Sequence, residues 1–168
     1  MGLVKEFDRK SYCLDLFRFH NWRQQKIVGM LSSFDPAYFT KQINGSFSSL
    51  FIVLEHLIWA EKVWFSRMDG TGVAVMKENH TVEGLLEEWT LITDKWTQLV
   101  TEKSPEAFNE VISYHTTKGV PYEDQFFEIV IHLIDHSTYH IGQMMNAIRS
   151  LGLAPIATNY IHYLRDKS

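Results

Sequence analysis

Several features that would place a chain in a familiar functional class are missing here. There is one cysteine, Cys13, in 168 residues, so no disulfide can close within the chain and nothing calls for an oxidising compartment. No apolar run approaches the roughly 18 residues that a membrane-spanning helix needs. There is no basic run, and the net charge of −4 gives no general attraction to phosphate backbones. Glycine-rich phosphate loops are absent, as is a serine in a nucleophile elbow. The first residues carry no secretory signal pattern, and Glu6 stands where a myristoylation signal needs a hydroxyl. These absences set the expectation of a soluble cytoplasmic protein with no membrane segment and no nucleic-acid partner.

What is present is an ordinary globular composition, 45% apolar and 21% charged. No repeat, low-complexity tract or long linker divides it, so a single domain over residues 1–168 is expected, large enough to bury about 70% of its unfolded surface. Four segments carry helical patterning, near 4–31, 46–68, 81–101 and 123–151. The first is free of proline and is stopped by Asp35-Pro36. It contains Cys13, expected as a small buried apolar residue. The second opens at the hydroxyls of Ser46–Ser48 and ends before Asp69-Gly70. Only Glu55 and His56 interrupt its apolar girth between Leu50 and Ala60, which suits the middle of a bundle. The third starts at Thr81 and repeats Leu85, Trp89, Ile92, Trp96 and Leu99 at helical steps. Between it and the fourth, residues 111–121 read as an extended connection or a short hairpin. Gly152 and Pro155 close the fourth helix, and the tail reads as a short turn packed on the bundle. Four helices with apolar faces bury them most economically in an all-α four-helix bundle.

Histidine is the one chemically active residue type in a pattern. His132, His136 and His140 recur four apart in the fourth helix, each step turning the side chain by only about 40°, so they climb one side. Random placement would give only about 0.02 such triples, so the one-turn spacing points to a purpose. Two imidazoles one turn apart can grip one transition metal, whereas a single helical histidine is more often a hydrogen-bonded core residue. Spacing alone does not separate the pair His132–His136 from His136–His140. His56 is the best further ligand, an ionisable group among apolar neighbours that either a metal or one hydrogen bond would satisfy. His80 and His115 read as solvent-exposed, and His20 and His162 are unassigned. The zincin pattern does not apply, because Ser137 stands where it needs glutamate. Asp135 and Glu55 each directly precede a candidate ligand and so project about 100° away, which leaves no carboxylate as an obvious general base.

The stretch His132-Leu-Ile-Asp-His136-Ser-Thr-Tyr-His140-Ile-Gly-Gln143 resembles the helix signature of the DinB/YfiT-like family. Leu54-Glu-His56-Leu-Ile-Trp-Ala-Glu61, Phe19-His-Asn-Trp22 and the ending around Gly152, Pro155 and Thr158–Ile161 are similar to its other motifs, so the resemblance spans nearly the whole chain. It implies an up-down-down-up bundle, often dimeric. It also implies a divalent metal (nickel, zinc or iron) held by His56, His136 and His140, with His132 beside the site. Some relatives use a low-molecular-weight thiol such as bacillithiol in S-transfer to a small-molecule substrate. The alternatives are a metal-dependent hydrolase and a non-catalytic metal-binding stress-response bundle. Ile141 replaces the family's usual arginine, and Asn159 a frequent aspartate.

Overall fold

The computed structural model of the protein describes residues 7–68, 70 and 81–167. The elements in chain order are α1 (Arg9–Leu31), α2 (Ala37–Thr40), α3 (Leu50–Met68) and α4 (Val82–Glu102). After a 3-10 turn come β1 (Val111–His115), β2 (Pro121–Gln125), α5 (Phe126–Ser150) and α6 (Tyr160–Asp166). The expected start of the first helix at Val4 and the breaker Asp69 lie outside the described residues.

Local chemistry explains where the helices begin and end. Asp8 caps α1 by accepting the Ser11 N–H at 3.0 Å, and Thr81 caps α4 by accepting that of Gly84 at 3.1 Å. The second long helix starts later than its hydroxyl cluster suggests: Ser49, not Ser46–Ser48, receives the Ile52 N–H. The fourth also starts later, because residues 123–125 belong to β2. Gln125 and Glu128 then form a reciprocal capping box that fixes the first turn of α5. At the far end Gly152 takes φ +79°, and Leu153 N–H returns to the Ile148 carbonyl. The hairpin pairs Val111 with Gln125 and His115 with Pro121. Its connection turns at Gly119, where φ is +77°.

The four long helices form a square in which α1 and α3 each pack against both α4 and α5. Cross-helix contacts give the directions. Asn21 meets Thr97 and Gln24 meets Thr90, so α1 and α4 are antiparallel. Arg9 meets Gln125 and Arg23 meets Thr138, so α1 and α5 are parallel. Trp64 lies by His132 and His56 by His140, so α3 and α5 are antiparallel. Lys62 meets Glu88 and Phe65 meets Trp96, which leaves α3 and α4 parallel. The order is therefore up, down, down, up.

The core holds the α4 stripe as its spacing predicts: Leu85, Trp89, Ile92 and Trp96 are buried, with Leu99 packed at its edge. Each buried indole removes about 150–250 Å² from water, which makes this stripe a main source of packing energy. Cys13 is also fully buried, and its apolar surroundings push the thiol up to about 12. α3 is less uniformly enclosed than its composition suggests. Ile52 is 38% exposed, and His56, Trp59 and Val63 on the same side are half-buried. That side borders a cleft rather than the core.

Candidate metal centre

His56 from α3 and His136 and His140 from α5 come together where these antiparallel helices pass one another. One ring nitrogen of each lies within 4.8 Å of the others, a grouping that could hold a metal ion. The Nε2 atoms of His136 and His140 are 3.1 Å apart. Two nitrogens bound at about 2.0–2.1 Å to a tetrahedral ion stand about 3.3 Å apart, so the one-turn spacing delivers nearly the right bite. The His56 ring completes the group at 4.5 Å from that of His140 and 5.7 Å from that of His136, centroid to centroid.

Ligation needs neutral imidazoles with lone pairs facing inward. Burial, helped by His140, His132 and His56, pulls the His136 pKa down to about 4. Burial and then His140 lower that of His56 as well. His140 receives its orientation from one turn further along: its Nδ1–H donates to Gln143 Oε1 at 2.8 Å, which leaves the Nε2 lone pair for the centre. Gln143 is in turn bonded to Tyr139. The buried Nδ1 of His136 has no hydrogen-bond partner among the described residues. Donor type, spacing and protonation state all suit a first-row divalent cation.

His132 stands outside this group. It is exposed, with its ring against Trp64 and 5.8 Å from that of His136. His115 is exposed and His162 half-buried, while His80 lies outside the described residues. Ile141 is 2% exposed and packs in the core, and Asn159 precedes α6 without a side-chain cap bond.

Two features escaped the sequence reading. Phe47, from the connection before α3, lies over both His56 and His140 and walls one side of the group. The other is a buried polar knot behind His136. Glu61, fully buried, accepts Ser137 Oγ at 3.2 Å, Trp89 Nε1 at 3.3 Å and Thr93 Oγ1 at 3.5 Å. His20 Nε2 lies 3.2 Å from the same carboxylate, at an angle short of a hydrogen bond. Arg23 donates to His20 Nδ1 at 3.1 Å and to Thr138 Oγ1 at 2.6 Å. The knot therefore draws on all four long helices. A buried glutamate, arginine and histidine in one sequence hint at such a network, but only the fold shows that they meet.

Comparison with known proteins places this architecture. A sequence model described as the DinB family matches residues 8–167. Protein DinB of Bacillus subtilis (strain 168) is 20% identical over 164 residues, covering 92% of this chain and 94% of that one. A DinB-like protein from Bacillus cereus superposes with a TM-score of 0.67 at 17% identity, over 84% of this chain and 94% of its own. A DinB-like protein from Bacillus subtilis gives 0.65 at 9% identity, over 87% and 96%.

Proposed function

The chain belongs to the DinB family, and from that premise we propose that it is a metal-dependent enzyme acting on a small molecule. In this reading His56, His136 and His140 hold a divalent transition ion, and a low-molecular-weight thiol is transferred to a small electrophile. The observation that carries it is the convergence of three imidazole nitrogens within 4.8 Å at the border of a cleft. Bound there, such an ion supplies a Lewis acid that lowers the pKa of a thiol and leaves positions open for it.

The chain's own residues do the rest. Gln143 holds His140 in the tautomer that keeps Nε2 available. Phe47 packs against His56 and His140 and shields them, and the Trp59 ring packs 6.0 Å from that of His56. Among the described residues no carboxylate is grouped with the three histidines, and Glu61 is turned to Ser137 in the buried knot. We take the working form to be a cytoplasmic homodimer, a point that sedimentation at micromolar concentration tests.

The deciding experiment is the metal content of the protein as purified, followed by a thiol-transfer screen with metal-free protein as control. Stoichiometric nickel, zinc or iron and turnover that vanishes with the metal are expected. Protein that neither carries nor takes up a divalent ion would refute the reading.

A further inference from the structure

A groove of about 640 Å³ runs beside the histidines, between the second half of α3 and the outer edge of the hairpin. Trp59 belongs to both places: it lines the groove and packs near His56. His56, Val63 and Arg67 follow at steps of seven and four, within about 20° of one face of α3. The groove thus begins next to the candidate metal centre and extends along the helix to Arg67, with Ser113 and Thr116 on the hairpin side. Among the described residues β1 is paired on one edge only, to β2.

Arg67 is the unusual element. Its guanidinium lies over the Trp64 ring at 4.3 Å and the Tyr114 ring at 4.8 Å. It is half-buried, and it makes no hydrogen bond or ion pair with a described residue. Its last-turn position complements the helix dipole, but that needs only a solvated cation. Here both rings stand within cation–π distance of the guanidinium and take none of its N–H donors in a hydrogen bond, so that donor set is uncommitted among the described residues. Such a donor set matches a carboxylate in two parallel hydrogen bonds. Burial lowers the pKa of Arg67, consistent with a partly desolvated charge that meets no anion among the described residues.

We infer that this groove is the binding site for the body of an extended, acid-bearing small molecule, with a carboxylate on Arg67 and the opposite end at the three histidines. Eleven residues separate His56 from Arg67, a rise of about 16 Å along the helix. The arginine side chain leans back toward the helix N-terminus and shortens that span. The ligand is therefore about as long as an extended three- or four-residue peptide, about 10–14 Å. Trp59 offers its midsection an apolar surface, and Thr116, whose Oγ1 accepts from the Lys118 and Val120 N–H groups, keeps its hydroxyl proton to donate; Ser113 is committed to Glu123. Joined to the thiol reading of the histidine centre, on which it rests, the class is a peptide-sized thiol carrying an acidic end.

S-methylglutathione on the metal-free protein tests this, because a methylated sulfur and an absent ion remove both elements of the thiol reading. Titration followed by tryptophan fluorescence should show saturable binding. Arg67→Gln should weaken it at least tenfold, Arg67→Lys should recover part of the loss, and the diethyl ester should bind wild type as weakly as the acid binds Arg67→Gln. Absence of saturable binding, or equal affinity in wild type and Arg67→Gln, overturns the proposal. Groove binding in a protein that takes up no metal would instead sink the enzymatic reading and leave this one standing.

Discussion

Replacing Glu61 with leucine gives the sharpest test of how the bundle is held. The change keeps much of the side-chain volume but removes the acceptor of Ser137, Trp89 and Thr93. It also leaves Arg23, 1% exposed, without the carboxylate that counterbalances it across His20. Burial already pulls the Arg23 pKa down to about 10, with Glu61 acting in the opposite direction, so the guanidinium stays charged at neutral pH in a poorly solvating site. Breaking a buried pair by removing one partner costs about 3–5 kcal/mol. That is a large share of the roughly 5–15 kcal/mol by which a domain is stable. With a urea slope of about 2 kcal/mol/M, the midpoint should fall by about 1.5–2.5 M. Arg23→Met alone should cost a similar amount. The double variant should cost at least about 2 kcal/mol less than the sum, because neither charge is then stranded. Equilibrium urea denaturation followed by far-UV circular dichroism measures all four proteins. A loss below about 1 kcal/mol for Glu61→Leu, or strict additivity in the cycle, would refute the claim that the knot acts as one unit.

Three further outcomes are expected. His136→Ala and His140→Ala should each weaken nickel or zinc binding by more than about a hundredfold, beyond the 10–100-fold expected when Gln143→Ala removes an orienting partner, while His115→Ala should leave it unchanged; competition titration with a chelating dye reads all four. Gly152→Ala should destabilise the fold by about 1–2 kcal/mol through its left-handed backbone at φ +79°, seen as a lower thermal midpoint. Cys13 should resist a thiol reagent at pH 8 in the native protein and react fully in urea, because burial holds its thiol near 12 and no thiolate is exposed; rapid native labelling would contradict its placement.

What the sequence discloses is what repeats locally. The α4 stripe and the one-turn spacing of His136 and His140 are periodic signals, and the helices obey them because an amphipathic face must find the core. His56 stands out in sequence as an ionisable group among apolar neighbours, but its side of α3 borders a cleft, so the residue is less buried than those neighbours imply. Residues 123–125 look polar and helix-compatible in sequence, yet pairing with β1 claims them, so α5 starts later than its pattern suggests. The Glu61 knot could not be read at all. Arg23 and Thr138 are separated by 115 residues, and no periodicity announces a contact that exists only once four helices are assembled. Gln143 was within reach, since three residues after His140 places it on the same helical face.

The three imidazoles come from just two antiparallel helices, whereas the Glu61 knot draws on all four. The two features are therefore separable in an engineering sense. Any antiparallel helix pair set in this register would present the same three nitrogens, so the metal grip is a portable module that could be grafted onto an unrelated helical scaffold. The knot is not portable, because it ties together this particular assembly. A designer would copy the first and rebuild the second from the new host's own core. Natural divergence has the same freedom: substitutions can accumulate across α1 and α4 without touching a ligand, provided each leaves the arginine, the histidine and the carboxylate able to meet.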